Sequence, residues 1–159
     1  LEEYLWGVKD SKMMSPKSRE VWARKLKEVC LGFGVGYASH SEIDKKGIVP
    51  ATHLAIRRAL KKLKLQPEHL LIDYLALPEL DIPQSSIPKG DMLSLSIAGA
   101  SIIAKTSRDA LMCRRSKKYP GYGFEKNKGY GTLFHRNALV ELGASPIHRQ
   151  SFKVKGVNS

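Results

Sequence analysis

The amino-acid sequence predicts an α/β fold, and three features in the middle of the chain carry this prediction. The apolar run at 70–72 is typical of a short buried parallel strand, and Asp73 ends it. A second short strand is expected at 84–88, after a loop that prolines prevent from becoming a helix. A helix rich in small side chains is expected next, at 96–105. These features together indicate a sheet with a helix behind it.

Two carboxylates follow the predicted strands. Asp73 stands at the carboxyl end of the first strand, where open α/β sheets place their chemistry, and Asp91 follows the second strand after Lys89 and Gly90. Adjacent strands would bring both carboxylates together, and a hard divalent cation such as Mg²⁺ prefers such oxygen ligands. The alternative is structural, with Asp73 in a turn and Asp91 as the N-cap of a helix formed by the segment that follows it, MLSLSIAGASIIAK.

Before these strands, the sequence predicts a helix and a further strand. Ser15 is a good N-cap residue and Pro16 suits the first helical position, so the helix is expected to run to Cys30. The segment 31–39 alternates apolar residues with glycines, which is typical of a strand. Its glycines would let a neighbouring element approach closely.

Two more helices are expected before the first carboxylate. A single helical turn is predicted at 41–45, capped by Ser41 and stopped by Gly47. An amphipathic helix is predicted at 50–64, with its apolar side chains facing inward and its cationic side chains in solvent.

The rest of the chain predicts a closely packed helix, an aromatic loop and a final helix. Small side chains at 98–101 would let the helix behind Asp91 lie close to the sheet, whereas Asp109 is too far along that helix to share a cation with Asp91 and is expected to be structural. A last helix is expected at 133–142. The ring-bearing residues Tyr119, Tyr122 and Phe124 are expected to pack onto the domain, and His135 and His148 to pack or hydrogen-bond without binding a metal.

The composition favours a polyanionic partner. The chain of 159 residues carries 27 Lys and Arg against 15 Asp and Glu, a formal net charge of +12, with a sequence pI near 9.8. Cations that neutralise phosphates release counterions, so nucleic acid is favoured over a membrane surface. The tyrosines interleaved with lysines between positions 117 and 130 are also typical of a nucleic-acid surface.

The cysteines and the apolar segments indicate a protein of the reducing cytoplasm. Cys30 and Cys113 are far apart and match neither a disulfide scaffold nor a zinc motif. The longest apolar segment, 93–104, is too short and too rich in serine and glycine to cross a bilayer, and no signal peptide is recognised.

Four ordered motifs extend over nearly the whole chain. KGDMLSLSIAGASIIAKTSRD occupies 89–109 and VKDSKMMS occupies 8–15. YPGYGFEKNKGYGT occupies 119–132 and SPIHRQSF occupies 145–152. With the aspartate that ends a strand, these motifs resemble the signature of ribonuclease HII, the type 2 ribonuclease H family.

The resemblance implies an RNase H-like fold with a mixed central sheet flanked by helices. It implies a single domain over 1–159, helical and loop-rich from about 110 to 159. The implied activity is endonucleolytic cleavage of RNA in RNA/DNA hybrids and cleavage on the 5′ side of ribonucleotides embedded in duplex DNA. The implied mechanism is in-line attack by a metal-bound water, with two Mg²⁺ or Mn²⁺ ions activating the water and stabilising the leaving oxygen.

The resemblance also assigns roles to residues and partners. Asp73 and Asp91 would be the catalytic carboxylates and metal ligands. Tyr130 is the tyrosine of KGYGT, which in the family packs against the sugar at the RNA to DNA junction. The expected partners are RNA/DNA hybrids and ribonucleotide-containing DNA duplexes, and the chain is expected to be a monomer. The implied substrate-binding residues are Asp10, Ser11, Lys12, Lys89, Ser94 and Tyr130.

The chain departs from the family pattern at several points. The family begins with a strand that carries an adjacent Asp-Glu followed by GRG, which supplies two of its four acidic ligands and recognises the ribose 2′-hydroxyl. That motif does not occur here, so the first strands are expected to be missing from this chain. Tyr74 stands where the family usually has glycine, which would narrow the site, and Asn127 stands where it often has histidine.

Two alternatives follow from these departures. The first is a non-catalytic nucleic-acid-binding fragment of the same family that keeps the basic surface and Tyr130 without the chemistry. The second is a ribonuclease HIII relative, although the KGYGT and PIHR elements suit ribonuclease HII better.

Overall fold

Helices dominate the structure, a computed structural model that describes Val8 and residues 11–153. None of the helices in this part of the chain is long and apolar enough to cross a membrane. A short 3-10 helix at Ser11–Met13 precedes seven α-helices within the described residues. These are α1, Pro16–Val29; α2, His40–Lys46; α3, Ile48–Leu60; α4, Gly90–Leu93; α5, Leu95–Lys118; α6, Phe124–Asn127; and α7, Leu133–Leu142.

Two parallel strands form the sheet that the described residues contain. They are β1, Leu70–Asp73, and β2, Gln84–Ile87. Asp73 pairs with Ile87, so both strands end at the same edge. The α/β fold class and both predicted strands are confirmed. Strand β2 ends one residue earlier than predicted, before Pro88, which has no N–H to donate.

The chain divides into two compact units, each built from two separate segments. The first unit comprises Leu1–Gly36 and Arg57–Thr106, and it contains the sheet, α1 and α4. The second unit comprises Tyr37–Ile56 and Ser107–Ser159, and it contains α2, α6 and α7. The single domain expected over 1–159 stays a prediction.

Helices α1 and α5 form a hydrophobic core in the first unit. Ala23 and Leu26 of α1 are buried against Ile102 and Ile103 of α5. A Cβ on Gly99 would lie 3.3 Å from Leu26 Cδ2, so this glycine brings α5 close to α1. The small residues were predicted to bring α5 close to the sheet. At Gly99, the element that α5 approaches is α1 instead.

Helix α1 begins as predicted, and α5 is longer than predicted. The Ser15 hydroxyl accepts a hydrogen bond from the Ser18 N–H at 3.1 Å, and Pro16 is the first helical residue. Helix α5 continues past position 105 to Lys118, because its later part contains no glycine or proline that would end it.

Helix α2 is capped by Ser39, so the cap predicted at Ser41 is wrong. The Ser39 hydroxyl accepts from the Glu42 N–H at 3.2 Å, and the Glu42 carboxylate accepts from the Ser39 N–H at 2.8 Å. Ser39 is preferred because it has a glutamate three residues later, which completes a capping box. Gly47 ends the helix as predicted, with φ +82°. The helix predicted at 50–64 runs from Ile48 to Leu60.

The segment 31–39 does not form the strand predicted for it. A strand needs a hydrogen-bonded neighbour, and β1 and β2 of the described sheet pair with each other instead. Within the first unit, the Lys62 ammonium donates to the Val35 carbonyl at 2.6 Å. A Cβ on Gly34 would lie 2.1 Å from the Ala59 carbonyl oxygen. The prediction that these glycines permit close approach is confirmed at Gly34.

The second unit has an aromatic core. The Tyr122 and Phe124 rings stack with their centroids 5.5 Å apart, and both residues are buried. The prediction that the rings of this loop pack onto the protein is confirmed. The buried residues of this core are Met112, Tyr122, Phe124, Ala138 and Leu139, with Tyr119 and Ile147 packed against them.

Two histidines lie beside this core in a hydrogen-bonded series. The Ser145 N–H donates to His148 Nδ1 at 2.9 Å, and His148 Nε2 lies 3.3 Å from His135 Nε2. His135 Nδ1 lies 3.0 Å from the Tyr122 carbonyl oxygen, which can only accept. The hydrogens must therefore sit on His148 Nε2 and His135 Nδ1, and both rings are neutral. The prediction that both histidines pack or hydrogen-bond is confirmed.

We expect Gly34→Ala to destabilise the protein by about 1–3 kcal/mol, because the added methyl group would overlap the Ala59 carbonyl. Urea unfolding followed by circular dichroism measures the change. Gly32→Ala is the matched control, since a Cβ at Gly32 would meet nothing within 4 Å. Equal stabilities for the two variants would contradict the close packing of Gly34 on α3.

We expect the protein to lose stability as the pH falls below about 6.5. Burial, followed by the nearby His135, lowers the pKa of His148 from its ordinary value of 6.5. As the pH falls, His148 therefore takes up its proton in the unfolded chain before it does so in the folded protein. The contribution of neutral His148 to the free energy of unfolding is complete above pH 6.5 and is lost as the pH falls through the lowered pKa. Thermal unfolding between pH 7.5 and 5.5 measures this loss.

The control for this titration is His148→Gln, which should be less stable at neutral pH but depend less on pH. Asp44 does not interfere, because hydrogen bonds from Ser151 and Gln150 lower the pKa of Asp44 from 3.8, and its titration falls at more acid pH. An identical pH dependence in both proteins would contradict the assignment to His148.

Candidate active site

Asp73 lies at the carboxyl end of β1 and is fixed by a hydrogen bond from the next strand's end. Its Oδ1 accepts from the backbone N–H of Gly90 at 2.9 Å. Asp73 is exposed, so the carboxylate remains accessible to solvent and to a ligand. The parallel register that pairs Asp73 with Ile87 brings Gly90 within this distance.

Asp91 lies in the first turn of α4 and is buried, with 8% of its surface exposed. Its Oδ2 accepts from the Lys12 ammonium at 3.2 Å, although the Lys12 side chain is 78% exposed. The buried carboxylate thus has a cationic partner that solvent can replace. Helix α5 begins after Ser94, so the alternative that Asp91 is the N-cap of that helix is wrong.

A tight turn carries Asp91 from strand to helix. Lys89 is exposed and has φ +57°, in the left-handed region that side chains with a Cβ rarely adopt. A Cβ on Gly90 would lie 2.5 Å from Ile97 Cδ1, so glycine is favoured at that position. Ser94 links α4 to α5, since its N–H donates to the Gly90 carbonyl at 2.8 Å.

The turn that precedes α1 is held by buried polar contacts. Ser11 is buried, with 4% of its surface exposed, and its hydroxyl lies 2.8 Å from the Ser101 hydroxyl of α5. The Arg19 guanidinium donates to the Ser11 carbonyl at 2.9 Å and to the Met14 carbonyl at 2.5 Å. These contacts place Lys12 beside Asp91, and the role of Ser11 in substrate binding stays a prediction.

The carboxylate oxygens of this site are the type of ligand that a hard divalent cation prefers. Asp73 and Asp91 supply two carboxylates, which Mg²⁺ and Mn²⁺ accept. Among Val8 and residues 11–153, no group of three or more His, Cys, Asp and Glu side chains could hold a metal ion. That Asp73 and Asp91 are metal ligands stays a prediction.

Tyr130 lies in the second unit, where a buried asparagine fixes its loop. The Asn127 amide donates to the Tyr122 carbonyl at 2.7 Å, and its oxygen accepts from the Gly129 N–H at 2.8 Å. The Tyr130 N–H donates to the Asn127 carbonyl at 2.8 Å. Tyr130 itself is 57% exposed, as a residue that meets a ligand must be.

The roles predicted for two other aspartates are not tested by these contacts. Asp10, predicted to bind substrate, lies outside the described residues. Asp109 lies on the part of α5 that belongs to the second unit, whereas Asp73 and Asp91 belong to the first. The structural role expected for Asp109 stays a prediction.

Comparison with known proteins decides the family. The sequence model described as Ribonuclease HII matches residues 3–155. The chain belongs to the ribonuclease HII family. Ribonuclease HII proteins are nucleases, so the chain belongs to a family of hydrolases that act on nucleic acid.

Named ribonuclease HII proteins are about 50% identical to the chain over the aligned residues. One from Desulfitobacterium hafniense is 53% identical over 146 residues, which is 92% of this chain and 56% of that protein. One from Thermus thermophilus is 51% identical over 147 residues, 92% of this chain and 72% of that protein. The chain thus spans little more than half of the length of the Desulfitobacterium relative.

A solved structure is similar in fold. The crystal structure of the ribonuclease H2 from Pyrococcus horikoshii matches with a TM-score of 0.72, over 96% of this chain and 81% of that chain. The sequence identity is 23%, so this likeness supports the fold alone. It confirms the RNase H-like fold that the ribonuclease HII motifs predicted.

Sequence reasoning missed several residues that position the ribonuclease HII motifs. Ser101 was interpreted as one of several small residues, and nothing in its local sequence reveals a hydroxyl partner in the Ser11 turn. Arg19 was not singled out, although its guanidinium holds that turn. Asn127 was noted as a departure from the family, and that departure was the available signal for its buried role.

We expect Ser11→Ala to cost about 1–2 kcal/mol, because it leaves the Ser101 hydroxyl without its partner. The double variant Ser11→Ala/Ser101→Ala should cost less than the sum of the single changes, by about 0.5–1.5 kcal/mol. Chemical denaturation of all four proteins measures the coupling. Ser96→Ala, at an exposed position on α5, should change stability little. Strict additivity of the two buried changes would refute the contact.

Proposed function

We propose that the chain carries the second half of a ribonuclease HII active site. In the whole protein this site cleaves RNA in RNA/DNA hybrids and cuts on the 5′ side of ribonucleotides embedded in duplex DNA. The observation that carries the proposal is the pair of carboxylates that follow adjacent parallel strands, Asp73 at the end of β1 and Asp91 in the KGD motif after β2.

The chemistry proposed is hydrolysis of a phosphodiester by in-line attack of water. Bound Mg²⁺ or Mn²⁺ would activate the water and stabilise the leaving oxygen. Asp73 and Asp91 would hold these ions through their carboxylate oxygens. The Gly90 N–H keeps one Asp73 oxygen in place, and burial limits the movement of Asp91. Such fixed geometry lowers the cost of arranging the charged groups for reaction.

The cations of the site would hold the phosphate backbone. The Lys12 side chain is long and exposed, so its ammonium group can rotate from the Asp91 carboxylate to a phosphate oxygen. Lys89 is exposed beside the same turn. The net charge of +12 adds a field that attracts a polyanion. Asp10, Ser11 and Ser94 complete the substrate contacts proposed for the first unit.

Tyr130 would supply the contact to the sugar at the junction between ribonucleotide and deoxyribonucleotide. Its ring is exposed while its backbone is fixed by buried Asn127, so the ring is presented without loss of loop order. A contact of an aromatic ring with a sugar or base is tolerant of sequence, as an enzyme that acts at any ribonucleotide requires.

We expect Asp73→Asn and Asp91→Asn to lower cleavage by at least about 100-fold, because each removes a negatively charged metal ligand. The substrate is a labelled DNA duplex with one ribonucleotide, incubated with Mg²⁺ or Mn²⁺ and analysed on a denaturing gel. Asp81→Asn is the matched control, since Asp81 is an exposed carboxylate in the loop between the strands. Its rate should equal that of the unchanged chain.

The same assay separates catalysis from binding. Cleavage 5′ of the ribonucleotide that survives Asp81→Asn and fails in the other two variants supports the nuclease proposal. Binding of the duplex without cleavage would favour the non-catalytic nucleic-acid-binding alternative. A duplex that is neither bound nor cut would contradict both for this chain.

A further inference from the structure

Tyr74, directly after Asp73, occupies an unusual three-residue turn. The Leu75 N–H donates to the Asp73 carbonyl at 2.8 Å, and Tyr74 at the centre of this turn has φ +66°. These are features of the strained form of the γ-turn. The left-handed region is unfavourable for a residue with a Cβ and above all for one with a bulky ring.

Hydrogen bonds of the backbone hold this turn without help from the ring. The Tyr74 N–H donates to the Ile87 carbonyl at 3.2 Å. The Ser86 hydroxyl donates to the Leu75 carbonyl at 2.8 Å. Glycine would accept the same bonds without strain, so the backbone does not explain why a tyrosine stands there.

Packing of the ring does not explain it either. Tyr74 is 76% exposed, more than most large apolar or aromatic side chains of the described residues. A buried ring would offset the strain through the surface it removes from water, and this ring removes little. Residues whose backbone strain is not offset by packing of their side chains are found mainly at functional sites.

The other strained positions show the same relation to the proposed site. In the part of the chain that the structure describes, the non-glycine residues with positive φ are Tyr74, Lys89 and Lys128. Lys89 lies two residues before Asp91, and Lys128 lies two residues before Tyr130. Tyr74 is the aromatic member of the three, and it is adjacent to Asp73.

We propose that Tyr74 is a substrate-contacting residue, whose ring packs on the sugar or base of a nucleotide next to the cleaved phosphate. This inference rests on the proposed function. Consecutive Cα atoms are about 3.8 Å apart, so a substrate whose cleaved phosphate lies beside Asp73 has its nucleotides within reach of the ring. Exposed aromatic rings beside phosphate-binding cations are a common way of holding nucleic acid.

Three variants test the role of the ring. Tyr74→Gly removes the ring and relieves the strain, Tyr74→Asn removes the ring but tolerates positive φ, and Tyr74→Phe keeps the ring. Fluorescence anisotropy in EDTA measures the affinity for a labelled RNA/DNA hybrid and for a DNA duplex with one ribonucleotide. We expect Tyr74→Gly and Tyr74→Asn to bind about ten-fold more weakly and Tyr74→Phe to bind within two-fold of the unchanged chain.

Thermal unfolding distinguishes substrate contact from a structural role. Because glycine relieves the strain, Tyr74→Gly should unfold at an unchanged or higher temperature while binding more weakly. A lower unfolding temperature together with weaker binding would assign the ring to packing and overturn the inference. Unchanged affinity in Tyr74→Gly, or equal losses in Tyr74→Phe and Tyr74→Gly, would also overturn it.

The unchanged chain provides the separate test of the proposed function. If it binds neither duplex, the proposed function fails and the inference fails with it. If it binds both duplexes and the Tyr74 variants bind equally well, the inference fails while the proposed function stands.

Discussion

The hydrogen bond from the Gly90 N–H to the Asp73 carboxylate is the constraint on which the candidate site depends. It joins the end of β1 to the first residue of α4 and fixes one carboxylate beside the turn that carries the other. A side chain at Gly90 would require the end of the Ile97 side chain to move. The family motif KGD is therefore, in three dimensions, the start of α4 and is hydrogen-bonded to the end of β1.

The sequence predicted the elements whose cause is local. Strand β1 follows from a short apolar run, β2 follows the proline-containing loop, and the start of α1 follows from Ser15 and Pro16. The strand expected at 31–39 was wrong because a strand depends on a partner elsewhere in the chain. The cap of α2 was misplaced because Ser39 and Ser41 stand close together, and Glu42, three residues after Ser39, selects Ser39.

The residues of the candidate site were predicted from motifs, whereas the contacts that hold those residues in place were not. Asp73 and Asp91 were found because each occupies a motif position after a predicted strand. The hydroxyl pair of Ser11 and Ser101 joins residues that are far apart in the sequence, so no local pattern could reveal it. The strained backbone of Tyr74 is likewise a property of the folded chain. The hydrogen bonds that hold Tyr74 at positive φ are made with Asp73 and Ile87 and cannot be read from the local sequence.

The neutral histidine pair of the second unit has a spectroscopic consequence. Each ring is held in a single tautomer, because the Ser145 N–H and the Tyr122 carbonyl impose one direction on the series. The hydrogen on His135 Nδ1 belongs to a residue with 4% of its surface exposed, so its exchange with water should be slow. Its resonance would then be visible by proton NMR, as an internal probe of whether the aromatic core is intact.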